Sequence, residues 1–188
     1  TLNASGIAVG LYDRVELSYT HQWFDTGAAG ARLGLGEGFT FDQDIIGAKI
    51  RLIGNAVYDQ DTWIPQVSIG VNYKRNAEQV LVRALGASDD DSFDYYIAFT
   101  KIMLNQSWIL NATLRLTEAN QFGILGYGSA TAGHSLQSEY SIAYMISPEL
   151  VAGVDYRTKP DNLAFAREQD AKVAYLAYFI NKHLSVTV

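Results

Sequence analysis

The apolar residues of this chain fall at every second position along most of its length and never gather into a run long enough to cross a bilayer as a helix. The longest continuous apolar stretch is 173–180, against the roughly 20 residues a spanning helix requires. Alternation with a period of two marks strands with two unlike faces. Val15, Leu17, Tyr19, His21 and Trp23 alternate with Glu16, Ser18, Thr20 and Gln22. The same pattern recurs over 46–52, 67–74, 95–100, 108–117, 136–144, 150–157 and 172–179, with weaker segments over 4–11 and from Leu184 onward. That is about ten strands. Hydrophobic residues make up 48% of the sequence, yet the mean hydropathy is only -0.01, as expected when one face of each strand is apolar and the other polar.

The segments approach the ~9–11 residues that a tilted strand needs to cross a bilayer. Strands of soluble proteins are mostly nearer five or six. The polar face carries charges in mid-strand: Glu16, Lys49, Arg51, Lys74, Arg115, Glu139, Asp155, Arg157 and Lys172. These are expected to line a lumen. The apolar face carries aromatics toward its ends: Tyr19, Trp23, Tyr73, Tyr95, Trp108, Tyr144, Tyr156 and Tyr175. Rings so placed match the girdles of transmembrane β-barrels, where lipid meets water.

The connections alternate in length. Those over 12–14, 101–107, 146–149 and 181–183 are short, with 54–62 a longer member of the set, whereas 25–40, 76–92, 118–133 and 158–170 are long. Short periplasmic turns and long outer loops are an outer-membrane pattern. The expected fold is therefore all-β: an antiparallel up-and-down transmembrane β-barrel in a single domain over 1–188. The first strand precedes a short turn and the last follows one, so both chain ends fall on the long-loop side. Bacterial barrels usually keep both termini on the other side. An odd number of strands is thus expected beyond each end, closing at about 12 or more.

Composition removes several alternatives. There is no cysteine, which excludes disulfide scaffolds and thiolate chemistry. A net charge of -6 and a pI near 4.9 argue against a nucleic-acid partner, which favours a basic surface. Asp89, Asp90, Asp91 and, separately, Asp42 and Asp44 are close enough for Ca²⁺, but without the glycine and distal Glu of an EF-hand they read as solvated loop acids. Residues 77–87 carry Val80, Leu81, Ala84 and Leu85 at helical spacing, which predicts a short helix packed on the barrel rim or folded over or into its mouth. Gly123, Gly126, Gly128 and Gly133 predict a turn-rich, mobile loop. The stretch 159–162 reads as a proline-fixed turn. A lipid hydrolase would need Ser and His in contact. His134 and Ser138 share a face but stand roughly 13 Å apart at ~3.3 Å per residue. His21 reads as an interface residue and His183 as part of a short turn. No metal, haem or nucleotide motif is present, so no cofactor is expected.

The stretches FDQDIIG (41–47), YKRNAEQVLVRALGA (73–87), LRLTEANQFGILG (114–126), YRTKPDNL (156–163) and NKHLS (181–185) resemble a family of uncharacterised Gram-negative envelope proteins, catalogued as a domain of unknown function. The resemblance implies an outer-membrane barrel whose members continue beyond both ends of this sequence. It implies no catalytic residues.

The expected function is a non-enzymatic channel for small polar solutes or ions in the bacterial outer membrane, with basic and acidic walls setting its selectivity. The alternative is a closed structural or partner-binding barrel, its inner charges paired and its long loops doing the work. A lipid-modifying enzyme is the third reading. Expected partners are outer-membrane lipid and lipopolysaccharide, with a protein partner at the long loops or open barrel edges.

Overall fold

The computed structural model describes residues 1–32, 34–164, 167–181 and 184–187. Ten strands follow one another in both sequence and space: β1 (Leu2–Leu11), β2 (Val15–Asp25), β3 (Thr40–Ile53), β4 (Gln66–Asn76), β5 (Asp91–Met103), β6 (Trp108–Thr117), β7 (Ser135–Met145), β8 (Leu150–Arg157), β9 (Ala171–Asn181) and β10 (Leu184–Thr187). Each is antiparallel to its neighbour, and together they form one meander in the order β1 to β10. The sheet curls into a half-barrel with a convex and a concave face. Among the described residues, β1 and β10 each have a strand on one side only. No described helix is long and apolar enough to cross a membrane.

The turns explain why successive strands reverse. Tyr12 and Asp13 both take left-handed φ, at 52° and 54°, and the Arg14 amide donates to the Leu11 carbonyl across them. Positive φ at both central residues matches the right-handed twist of a two-residue hairpin. In 146–149 the Ser147 hydroxyl accepts from the amides of Glu149 and Leu150. At 104–107 a left-handed Ser107 closes a single 3-10 turn.

Two boundaries move relative to the alternation. β3 begins at Thr40 and β5 at Asp91, so both continue past their apolar patterns toward the long-loop end. Asp42 and Asp44 are therefore strand residues and not loop acids. The stretch FDQD is polar on one face and mixed on the other, so it carries no two-faced signal, yet backbone pairing with β2 continues through Phe24↔Phe41.

Inside and outside follow from the register. Large apolar side chains stand exposed on the convex face, including Ile7, Leu17, Ile46, Ile50, Ile69, Leu114, Ile142 and Val154. A contiguous apolar face of this kind, running across neighbouring strands, is unusual on a soluble monomer. Two glycines make room on the concave face for the rings opposite them. Gly70 pairs with Tyr96 and Gly153 with Tyr175. A Cβ added at either would stand 2.3 or 2.4 Å from the ring. A small core under the short-turn end gathers Ala143, Val151 and Ala177.

β9 corrects one part of the sequence reading. Tyr175 lies over Gly153, and Ala177 is buried with Val151, so 173, 175 and 177 face inward. Lys172 is consequently on the convex face, its ammonium 5.9 Å from the Tyr156 ring centre. Lys172 does not join the inner charges, and Tyr175 does not join the outer aromatics. Residues 173–180 are apolar on both faces, so alternation alone could not choose a side. Pairing with β8 does.

Candidate functional site

The concave face is polar, and its charges are paired. Lys49 Nζ lies 2.8 Å from Glu16 Oε1, opposite it on β2. Arg51 reaches Asp13 in the β1–β2 turn at 2.7 Å. Arg115 Nε donates to Glu139 Oε1 at 2.7 Å, and its guanidinium lies 4.9 Å from the Tyr96 ring centre. Arg157 and Asp155, two residues apart on β8, stand 3.4 Å from each other. The centre of the network is Lys74 with Asp94: Nζ to Oδ2 is 2.7 Å, and Arg115 Nη1 approaches the same oxygen at 3.6 Å. The Asp94 side chain is 0% exposed. A carboxylate so buried needs a cation beside it.

Eight of the nine inner charges read from the sequence therefore share the concave face, Lys172 being the exception. Asp94 is not among them, because the clear alternation of β5 begins only at Tyr95. Two more residues of alternation would have put it beside Tyr96 and Ser92 on the polar face.

Over the long-loop end of this face sits a packed cap. Helix α1 (Ala28–Arg32) belongs to the first long loop and α2 (Gln79–Ala84) to the second. Phe41, Val82, Ala87 and Ile124 form its apolar centre, with Phe24, Leu35, Leu81 and Leu85 against it. The helical spacing over 77–87 is correct, but Val82 is the residue it buries. Val80 points out, 83% exposed. Side-chain amides fasten the third long loop to the wall. Asn76 Nδ2 donates to the carbonyls of Gly123 and Ile124 at 3.2 and 2.8 Å. Gln43 Nε2 donates to the Phe122 carbonyl and to the Tyr127 hydroxyl. Within the loop itself, Asn120 Nδ2 donates to the Gly128 carbonyl.

The glycines of this loop are packed rather than free. Gly123 and Gly126 take φ of 105° and 75°, and a Cβ at either would stand 2.5 or 2.8 Å from Gln43 or Ala87. Burial, followed by the nearby charge of Asp94, pushes the Tyr127 hydroxyl far up its titration range. Gln43, Asn76 and Tyr127 carry no local sequence signal, because each is defined by a partner far along the chain.

The second loop's acids are engaged. Arg83 lies 3.4 Å from Asp89 and 3.2 Å from Asp90, and Gln79 donates to Asp90 at 2.8 Å. Burial raises the Asp90 carboxyl, but the Gln79 amide and Arg83 guanidinium outweigh it and hold the group below the ordinary carboxylate range. The 159–162 stretch is similarly tied in: Lys159 Nζ donates to Gln121 Oε1 at 2.7 Å, and the Gln121 amide donates to Glu168. Glu168 is raised, mainly by burial. Between cap and sheet lies a cavity of about 300 Å³ whose walls include Asn72, Lys74, Asp94, Arg115, Glu139 and Arg157.

On the convex face, Tyr19, Trp23, Tyr73, Tyr95, Trp108, Tyr144 and Tyr156 occupy the positions their alternation gave. Near the long-loop end, Tyr19 donates to Asp44 at 2.7 Å and His21 Nδ1 lies 2.9 Å from the same carboxylate. His21 stacks on Trp23 at 5.6 Å. Tyr73, Phe93 and Tyr95 form a ring cluster. At the short-turn end, Trp108 and Tyr144 meet edge to face at 5.1 Å.

His134 is not beside Ser138. Its Nε2 is 2.8 Å from the Phe93 carbonyl and its Nδ1 3.5 Å from Glu118, which also accepts from Ser92. His183 lies outside the described residues. Among the described residues, no group of three or more His, Asp or Glu side chains is placed to hold a metal ion.

No curated protein and no solved structure matches the chain. A family model does, over residues 1–188, and the chain belongs to that family, described as protein of unknown function, DUF3034.

Proposed function

We propose that this chain is the wall of a bacterial outer-membrane β-barrel closed at its long-loop end, a non-enzymatic structural or partner-binding barrel that acts through its loops. One observation carries this reading: an ion-paired concave face under a packed cap, backed by an exposed apolar convex face. In water the convex face would be a severe aggregation hazard. In lipid it is the required surface, and the edges of β1 and β10 must then be covered, because an open edge is not tolerated in hydrocarbon. Outer-membrane lipid would contact the convex residues. Lipopolysaccharide would contact the Asp44, His21 and Tyr19 cluster, and a protein partner would meet the cap. Because Lys49, Arg51 and Lys74 each hold a carboxylate, the basic wall is neutralised in place.

A second reading, a channel for small polar solutes or ions, is favoured by the polar cavity left between cap and wall. Conductance in planar bilayers separates the two. The closed barrel is silent as wild type and shows steps when Gln43→Ala and Asn76→Ala together loosen the cap. A channel conducts as wild type, with an ion preference that changes in Arg157→Glu. Steady wild-type steps would overturn the closed reading.

A further inference from the structure

Of the described connections at the short-turn end, the one between β3 and β4 is much the longest, and it is built rather than slack. The ladder between β4 and β5 ends at Gln66↔Thr100, while β5 runs on to Met103. The connection fills the notch this leaves. The Ile102 amide donates to the Ala56 carbonyl, Gln60 Nε2 donates to the Ile102 carbonyl, and Gln60 Oε1 accepts from the Leu104 amide. Asn55 Oδ1 accepts from the amides of Val57 and Tyr58 and folds the segment's first turn.

Lys101 explains which way the segment lies. Thr100 meets Asn111 on the concave face, so the next residue, Lys101, belongs to the convex face. Its ammonium donates to the carbonyl of Thr62 at 2.8 Å and to that of Asp59. A cation on the apolar face is thus taken up by backbone oxygens, and the segment is drawn against the outside of the sheet. What it then turns outward is aromatic: Trp63 is 90% and Tyr58 83% exposed, with Ile64 beside them. Trp and Tyr left in water gain nothing, whereas the boundary between lipid and water suits a ring with one apolar and one wet side. Trp108, at the head of β6, stands at the same end of the sheet.

We propose that the segment 54–65 is a membrane-interface anchor. It shields the Lys101 ammonium and seats Trp63 and Tyr58 among phospholipid headgroups at the short-turn end. The inference rests on the reading of the convex face as lipid contact.

The chain has three tryptophans, which makes the test direct. Full-length forms that keep only Trp63 or only Trp108, the others replaced by Phe, are reconstituted in phosphatidylcholine vesicles brominated high on the acyl chains. The expected result is a comparable loss of emission for both, relative to unbrominated vesicles. If Trp108 is quenched while Trp63 emits as in water, the anchor is overturned and the lipid-facing sheet stands. If neither is quenched, the lipid-facing reading fails and takes the anchor with it. In the Trp63-only form, Lys101→Met should reduce the quenching, and unchanged quenching would overturn the part given to Lys101.

Discussion

A single arginine at Ile69 reports what the convex face touches. Ile69 sits in a row with Ile50, Ile97 and Leu114 across β3 to β6. The row lies between the Tyr73, Phe93 and Tyr95 cluster and the Trp108–Tyr144 pair, at the depth expected for mid-bilayer. An arginine facing lipid at that depth costs about 2–4 kcal/mol and only about 0–1 kcal/mol near an interface. At about 1.4 kcal/mol per tenfold, the midplane figure is roughly a 30- to 700-fold fall in the folding equilibrium. The same change on a water-facing surface stays within about 0.5 kcal/mol. Ile69 is 42% exposed, so its substitution also removes packing against Ile50 and Ile97. Ile69→Gln removes that packing without adding a charge, and the difference between the two variants reads the solvent alone. The assay is denaturant unfolding of the full chain in phosphatidylcholine vesicles, followed by tryptophan emission. An Arg-minus-Gln difference at Ile69 of about 0.5 kcal/mol or less would refute the reasoning. So would an equal penalty for Tyr144→Arg near the rim.

Asp94→Asn should leave Lys74 as an uncompensated buried cation and destabilise by about 3–5 kcal/mol, with most of the loss recovered when Lys74→Met and Asp94→Leu are combined; a double-mutant cycle in the same unfolding assay checks both. Gly70→Ala drives a methyl into the Tyr96 ring and should cost about 1–3 kcal/mol, with Tyr96→Ser in the same chain restoring stability. Asp90 titrates below its ordinary value of 3.8, so its contribution to holding α2 is present above that value and is lost as pH falls through the lower folded-state value. Amide protection at Val82, corrected for intrinsic exchange, should show this acid loss in the wild type and not in Asp90→Asn.

How much of this was legible in the sequence depends on the range of the interaction concerned. The strands were legible because a sheet between two unlike environments imposes a period of two on each of them, as at 15–23 and 108–117. Where both faces share a polarity, the signal vanishes. Residues 173–180 are apolar throughout, so only the β8 register places Tyr175 on the concave face and Lys172 on the convex one. Thr40 to Asp44 lack a two-faced pattern, so β3 was read as starting late. The inner charges on β2 to β8 were legible from parity, but their pairing was not, because a salt bridge between neighbouring strands needs the register as well as the face. The cap was the least legible part. Gln43 finds Tyr127 across 84 positions, and the glycines that permit the approach look in sequence like ordinary turn residues. Trp63 carries no signal of its own, because it lies in a connection with no alternation to give it a side.

The central claim is that the convex face is bathed in lipid hydrocarbon. The most direct test is photolabelling of the full chain in vesicles with a diazirine reagent dissolved in the acyl chains, read out residue by residue by mass spectrometry. Label is expected on Ile46, Ile69, Leu114, Ile142 and Val154, and none on Asn72, Asp94 and Arg115. Label absent from the first set, or spread equally over both, would contradict that claim.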